Sequence, residues 1–321
     1  MTEVLVGDIG GTSARFALVE QLDGQYRVHS FRKYVCDDYP SFYDVLGDYL
    51  NKAGLSVRSA LFALAGPPEG QAITLTNRPW TISTVELESR FDFEQVRLVN
   101  DFTAMARSVP EMPDTAFQEI KPGSPIVGEP ELVMGPGTGL GVATIVETSD
   151  NSWKIIGGEG GHGAYAPTTE KDWAVFQVLQ RDHGYIPNEL VCAGVGFEKL
   201  HKAIAEVGQY DYVPLTAAEV SVRAKQGDPL SLQICRFRAR TVLRVAGDIA
   251  LANGARGGVT LAGGVSAKLS DFLSEADSLA QFVERGVQTD YMTQIPIRLL
   301  TDETASLVGA AALHYDFVLG C

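Results

Sequence analysis

Cysteine is scarce in this sequence, and its few copies stand far apart. The 321 residues contain four cysteines, at positions 36, 192, 235 and 321, with no Cys-x-x-Cys pair and no spacing typical of metal ligands. A disulfide framework is therefore not expected. A reduced cytoplasm is the simplest compartment for such a chain.

Long apolar runs and basic residues are also in short supply. No stretch approaches the roughly 18 uninterrupted apolar residues of a membrane span, and Glu3 and Asp8 interrupt the region that a signal peptide would keep apolar. The 26 basic and 40 acidic residues give a formal charge of −14, which argues against a nucleic-acid partner. Backbone amides can still hold a nucleotide without net basicity. We therefore predict no membrane partner and no nucleic-acid partner.

Strands and helices alternate along the chain, which is typical of an α/β protein. The length and the 45% apolar content suit two lobes of ordinary size, each with a buried core. A segment with five prolines, 109–130, is a plausible connection between them. The predicted small lobe is 1–108 plus 301–321, and the predicted large lobe is 109–300.

The opening of the chain recurs in its second half. A strand ending at Ile9 leads through Gly10-Gly11-Thr12 into another strand, and 132–134 leads through Gly137-Thr138-Gly139 into 142–146. An old duplication would explain the recurrence, and coincidence remains the alternative. Since a Walker A loop or a dinucleotide-binding glycine turn must open a helix, the strand after Thr12 disfavours both.

Three glycine turns follow strands and offer accessible backbone: 10–12, 137–139 and Gly263-Gly264. Glycine lets backbone amides approach a phosphate closely, Thr12 adds a hydroxyl, and Asp8 is an acid that could face a metal. Each turn alone is equally well explained as a tight turn that requires glycine. Three such turns could converge on one nucleotide.

Polar side chains stand at two further places. Asn100-Asp101 follows a buried strand, where a carboxylate can accept a proton from a substrate hydroxyl or either residue can cap the next helix. Glu159 and His162 lie among glycines in 157–163 and suit a ligand with many hydroxyl groups. An ordinary surface loop is the alternative, and a metal site is disfavoured because no third ligand is near.

Taken together and in this order, these segments resemble the bacterial glucokinase family of the hexokinase/actin-like fold. The resemblance covers nearly the whole chain and implies an α/β protein of two lobes, with a ribonuclease H-like fold and an active-site cleft between the lobes. It rests on 8–12 with Arg15, on 75–80, on Asn100-Asp101-Phe102, on 135–141, on 158–162 and on 261–265.

The resemblance implies an enzyme that transfers the γ-phosphoryl group of ATP to the 6-hydroxyl of glucose, giving glucose 6-phosphate and ADP at the entry to glycolysis. It assigns Asp101 as the general base and assigns sugar binding to Asn100, Asp101, Glu159, His162 and Glu189. It also implies Mg²⁺ entering with ATP, with Asp8 orienting a water on the metal, and a homodimer. The nucleotide-binding residues implied are Asp8, Gly10, Gly11, Thr12, Gly137, Thr138, Gly139, Gly263 and Gly264.

The chain departs from the family pattern near two of these residues. After Glu189 it carries Ala193 and Val195 in a stretch where the family usually has Ser-Gly-x-Gly, and after His162 it has Gly163-Ala164-Tyr165 where the family often carries an acid before the aromatic residue. It also lacks the cysteine cluster of zinc-containing relatives, so we predict no structural zinc.

Three other functions remain open at this stage. One is a kinase of a related hexose, and another is a sugar-binding regulator without catalysis. The net charge and a first strand beginning by Val4, which leaves no room for a preceding DNA-binding domain, disfavour the regulator. A dinucleotide-dependent oxidoreductase is disfavoured by the strand after Thr12.

Overall fold

The chain divides into two compact units, residues 1–116 with 302–321, and residues 117–301. The first unit continues past 108 because two 3₁₀ turns extend it, with Val109 and Ala116 buried. Asn77, within the segment 75–80, and Cys321 lie outside the described residues. The computed structural model describes residues 3–54, 57–66, 68–69, 71–76, 78–149 and 152–319.

The first unit begins with a β-meander and continues with parallel crossovers. Helix formation follows local signals: Ser41 caps the first helix by accepting a hydrogen bond from the Asp44 amide, and Gly54 ends it in the left-handed conformation. The elements are β1 (Val4–Ile9), β2 (Ser13–Leu22), β3 (Gln25–Val35), α1 (Phe42–Ala53), β4 (Ser59–Leu64), β5 (Pro68–Glu69), β6 (Ala72–Thr74), β7 (Thr81–Ser83), α2 (Thr84–Phe91), β8 (Gln95–Asn100) and α3 (Asp101–Ser108).

The second unit repeats this scheme at larger size. Its longest helix begins at Pro229, is capped by Asp228, and stops at Gly254. Its elements are β9 (Phe117–Lys121), β10 (Glu131–Pro136), β11 (Leu140–Glu147), β12 (Trp153–Gly158), α4 (Glu170–His183), α5 (Asn188–Cys192), α6 (Phe197–Val207), α7 (Ala217–Lys225), α8 (Pro229–Asn253), β13 (Gly258–Leu261), α9 (Gly263–Lys268), α10 (Ser270–Leu273), α11 (Ala276–Val283), α12 (Thr289–Gln294) and β14 (Ile297–Leu300), after which α13 (Ala305–Leu319) belongs to the first unit.

The two main sheets share one topology. The first has the order β3-β2-β1-β4-β8, and the second has β12-β11-β10-β13-β14 with β9 added at its edge. In each, the opening hairpin is antiparallel and the next two pairings are parallel. This shared order supports the duplication hypothesis. The 109–130 segment is more than a connection, because β9 within it pairs with β14.

Strand β1 shows how the alternation of side chains builds two layers. Val4 and Val6 face the apolar cluster that contains α13, whereas Leu5 and Ile9 pack in the cluster that contains α1. Asp8 is in phase with Val4 and Val6, so it points to the α13 side of the sheet, where its carboxylate meets Ser306. The helix that follows the second unit therefore completes the core of the first.

Within the described residues, no helix combines the length and hydropathy needed to cross a bilayer.

Candidate functional site

The first group of predicted site residues lies at the carboxyl edge of one sheet. Strands β1, β4 and β8 are parallel, and Ile9 is in register with Leu64, which in turn is in register with Asn100. The carboxyl ends of parallel strands meet at one edge. The topology therefore brings Asp8 and Asp101 to the same place, although 93 positions separate them in the sequence.

The side chains of Asn100 and Asp101 differ in the hydrogen bonds that they make. Asn100 Oδ1 accepts hydrogen bonds from the amides of Phe102 (3.0 Å) and Thr103 (3.2 Å), while its Nδ2 donates to the Gly66 carbonyl (3.3 Å). Asn100 therefore caps α3. Asp101 Oδ1 also accepts from the Phe102 amide, at 2.8 Å. Its Oδ2 makes no hydrogen bond to any described residue and remains available to a ligand.

The surroundings of Asp101 shift its proton affinity. Burial, and then the negative charge of Asp8, raise the pKa of the Asp101 carboxyl to about 6. Asp8 is itself anchored, since its Oδ2 accepts hydrogen bonds from Arg15 Nη1 at 3.1 Å and from Ser306 Oγ at 2.7 Å. A carboxylate with a pKa near 6 is ionised at neutral pH, yet it holds a proton better than an ordinary aspartate.

The first glycine turn, Gly10 to Thr12, joins β1 to β2 beside these acids. Gly10 donates its amide to the Ser13 carbonyl at 3.0 Å, which closes the turn. The Thr12 side chain is exposed. The amides of Gly11 and Thr12 donate to no described residue, so two backbone donors are free for an anion.

The second glycine turn, Gly137 to Gly139, is held by the stretch that departs from the family pattern. The amides of Gly194 and Val195 donate to the carbonyls of Gly137 and Thr138, both at 2.9 Å. These bonds use backbone atoms only. The missing hydroxyl at Ala193 and the Val195 side chain therefore leave this anchorage intact.

The predicted sugar-binding residues of the second unit stand close together. His162 Nε2 is 3.8 Å from Glu159 Oε2, and His162 Nδ1 is 3.9 Å from Glu189 Oε1. The exposed fractions of the Glu159, His162 and Glu189 side chains are 89%, 62% and 22%. Glu189 Oε2 accepts from the Leu140 amide at 3.3 Å. Three side chains that can exchange hydrogen bonds with hydroxyl groups thus line one exposed surface.

The loop that carries Glu159 and His162 is held by residues that the sequence analysis did not single out. Asn188 Nδ2 donates to the Gly160 carbonyl at 3.0 Å, and the Tyr185 hydroxyl donates to the His162 carbonyl at 2.7 Å. At Gly161 a Cβ atom would collide with the Leu140 carbonyl oxygen, which explains one glycine of this loop. Only adjacency to Glu189 in the sequence could have pointed to Asn188.

The third glycine turn, Gly263-Gly264, lies beside the second turn. Gly263 has φ +83°, and a Cβ atom there would be 2.8 Å from the Pro136 carbonyl oxygen, so this position requires glycine. Gly264 opens onto free space at the start of α9. The predicted nucleotide residues of the second unit therefore gather around the ends of β10 and β13.

In the part of the chain that the structure describes, protein ligands alone do not form a metal site. Among the described residues, no set of three or more His, Cys, Asp or Glu side chains is placed to hold a metal ion. Asp8 and Asp101 nevertheless place two carboxylates at one sheet edge. This fits a Mg²⁺ ion that arrives on phosphates, because such ions are usually bound through one or two carboxylates, waters and substrate oxygens.

Comparison with known proteins assigns nearly the whole chain to one family. A family model described as Glucokinase matches residues 5–316. The chain is 34% identical to the glucokinase of Chromohalobacter salexigens over 316 residues, covering 98% of each protein. It is 33% identical over 311 residues to a bifunctional protein glk of Burkholderia orbicola, of which it spans 48%.

Solved structures of known proteins share the fold of this chain. The chain superimposes on a crystal structure of glucokinase from an Antarctic psychrotroph with a TM-score of 0.87 and 32% identity, covering 98% of this chain and 99% of that one. A ROK family glucokinase from Streptomyces griseus, in complex with glucose and AMPPNP, shares the fold at a TM-score of 0.66 and 19% identity, with 97% and 99% coverage.

Fold and comparisons together define a sugar kinase of the two-lobed actin-like class. Within that class, the chain belongs to the glucokinase family. The predicted family, fold and enzyme, a glucokinase, are thereby confirmed. The relatives give no support to a regulator or an oxidoreductase.

Proposed function

We propose that the chain phosphorylates glucose at its 6-hydroxyl with ATP, with Asp101 as the general base. Asp101 accepts the hydroxyl proton as the oxygen attacks the γ-phosphorus, and the bond between that phosphorus and the β-γ bridging oxygen breaks to release ADP. What supports this assignment is the position of the Asp101 carboxylate, with a free Oδ2 and a pKa raised to about 6 by burial and Asp8. Phosphoryl transfer needs positioning and charge stabilisation more than covalent catalysis.

In this proposal glucose is bound by the side chains of Asn100, Asp101, Glu159, His162 and Glu189. Carboxylates accept from sugar hydroxyls, while an imidazole can donate or accept, so the set can distinguish the configuration of a hydroxyl group. The similarity to glucokinases favours glucose over a related hexose.

The phosphates of ATP are assigned to the amides of the two glycine turns, and the nucleoside to the surroundings of Gly263 and Gly264. Mg²⁺ bound with the nucleotide would be held through Asp8, and it would neutralise charge on the phosphate oxygens. Asp8 is kept in place for this by Arg15 and Ser306. We further assign the enzyme to the cytoplasm, as a homodimer acting at the entry of glucose into glycolysis. The absence of a structural zinc stays a prediction.

A coupled assay of ADP release tests the activity directly. With Mg·ATP present, we expect ADP release that depends on glucose and far exceeds the release with mannose or glucosamine at equal concentration. ADP release that does not depend on any hexose would contradict the proposal.

The pKa of Asp101 predicts the acid limb of the pH profile. As the pH falls below about 6, protonation of this carboxyl removes the base, so kcat/KM for glucose should fall about tenfold per pH unit. Above that pH the value should level off. The residual rate of Asp101→Asn should lack this limb, which separates the effect from the ionisation of ATP. An unchanged acid limb in the variant would assign the titration to another group.

Replacing Glu159 or His162 by Ala should weaken glucose binding selectively. Each change removes a partner of sugar hydroxyls, so we expect a cost of about 1–3 kcal/mol in glucose affinity. Isothermal titration with glucose and, separately, with Mg·ATP would measure both affinities. His183→Ala, at an exposed histidine of α4, serves as the control. An equal loss of nucleotide affinity would show that these residues do not act on the sugar side.

A further inference from the structure

The segment 75–80 contributes to the family resemblance but has no role in the mechanism proposed above. One side chain in it reaches a distant part of the first unit. Arg78 Nε donates to the Gly11 carbonyl at 3.0 Å, and its Nη1 donates to the Cys36 carbonyl at 3.2 Å. Its Nη2 forms an ion pair with Asp37. Only 15% of the Arg78 side chain is exposed.

The Arg78 guanidinium is also fixed from one face. Its central carbon lies 4.7 Å from the ring centroid of Trp80, and the Trp80 indole nitrogen donates to the Pro40 carbonyl at 3.1 Å. The planar group is therefore held against an aromatic ring while its edge makes three polar contacts. Such a fork is specific to arginine, because a lysine ammonium offers a single nitrogen.

All three carbonyls of the first glycine turn accept hydrogen bonds from Cys36 or Arg78. The Gly10 carbonyl accepts a weak hydrogen bond from the Cys36 thiol at 3.7 Å, and the Gly11 carbonyl accepts from Arg78. The Thr12 carbonyl accepts from the Cys36 amide at 3.0 Å. The turn is thus held by its oxygens.

The direction of these carbonyls sets the direction of the amides. In a trans peptide the C=O of one residue and the N–H of the next point in opposite directions. Carbonyls of Gly10 and Gly11 that face Cys36 and Arg78 therefore turn the N–H groups of Gly11 and Thr12 away from that side. These are the two amides of the turn that donate to no described residue.

We propose that Arg78 is a positioning residue that holds the Gly10–Thr12 turn in its phosphate-binding conformation. The inference rests on the proposed function, which assigns this turn to the phosphates of ATP. Arg78 touches neither substrate. It binds the back of the turn, so that the two free amides face the nucleotide without a cost of reorganisation on binding.

The test compares Arg78→Met with Arg90→Met in the full-length enzyme. Arg90 is a matched control, because it also stacks on an aromatic ring in the first unit, 4.4 Å from the Tyr43 centroid, and pairs with Glu86 at 2.7 Å. For Arg78→Met we expect kcat/KM for Mg·ATP to fall about 10–100-fold, as for a misplaced catalytic contact. The dissociation constant for glucose without nucleotide, measured by calorimetry, should stay within about twofold. Arg90→Met should leave both values unchanged.

A second variant covers the case in which Arg78→Met does not fold. Arg78→Lys keeps the charge but lacks the planar fork that reaches the Gly11 and Cys36 carbonyls while it stacks on Trp80, so the same loss toward Mg·ATP is expected. The proposal is overturned if a folded variant keeps its kcat/KM for Mg·ATP within about twofold, or loses glucose affinity to the same extent. A parent enzyme without glucose-dependent ADP release would instead overturn the proposed function, so the two failures are distinguishable.

Discussion

Asp101→Asn is expected to lower kcat by about 10²–10⁴, which corresponds to roughly 3–5 kcal/mol of barrier. The variant keeps the shape of the side chain, and its amide oxygen can still accept the hydrogen bond from the Phe102 amide. It loses only the ability to take the hydroxyl proton. Measuring kcat and glucose affinity at saturating Mg·ATP would separate these effects. Turnover within a few-fold of the parent would rule out Asp101 as the base.

The same variant should not be less stable than the parent at neutral or basic pH. The pKa of Asp101 in the folded protein, about 6, lies above its ordinary value of 3.8. Folding therefore becomes less favourable as the pH rises through this interval, and the penalty is absent below pH ~4. Because Asn carries no charge, its melting temperature at pH 8 should equal or exceed that of the parent. A large loss of stability would mean that the activity loss reports misfolding.

Asp172→Asn is expected to destabilise the second unit by about 3–5 kcal/mol. Asp172 is buried at the start of α4, where its Oδ1 accepts from Arg240 at 2.8 Å and its Oδ2 accepts from the buried Arg244 at 3.2 Å. Removing the negative charge takes away the carboxylate that both guanidinium groups contact in a poorly hydrated site. Urea unfolding followed by tryptophan fluorescence would measure the effect.

The control for this prediction is an exposed ion pair of the same unit. Glu275 pairs with Arg236 at 3.0 Å on the surface. Glu275→Gln should cost less than about 1 kcal/mol, since water already screens that pair. Equal losses in the free energy of unfolding for the two substitutions would show that burial does not make the ion pairs of Asp172 more important for stability.

The sequence predicted best those features that depend on short-range patterns. The apolar residues of α1 at helical spacing, Gly54 at its end and the pairing of Thr216 with Glu219 are local signals in the sequence, and the structure contains the helix ends that they indicate. The strand after Thr12 is present as well, which removed the dinucleotide-binding interpretation. These features follow from interactions within one or two turns of the chain.

Contacts between residues far apart in the sequence could not be predicted in this way. Nothing near Ser306 indicates that its hydroxyl binds Asp8, 298 positions earlier. Strand β9 lies among prolines and is stabilised by pairing with β14, a partner that propensity does not reveal. Arg78 belonged to a segment selected by resemblance, but its contact with Gly11 depends on the fold. Sequence patterns gave the candidate groups, and tertiary structure supplied the residues that hold them.

The place of α13 in the chain also constrains how the protein is made. The second unit is contiguous, 117–301, and can fold on the ribosome as soon as it emerges. The first unit is not, because α13 packs against β1 and lies so close to α3 that a Cβ at Gly309 would collide with the Ala104 carbonyl. Helix α3, which begins with Asp101, therefore lacks its partner until residues 305–319 have been synthesised. A polypeptide truncated after residue 301 would keep every segment of the second unit but would lack α13, so its first unit should be inactive.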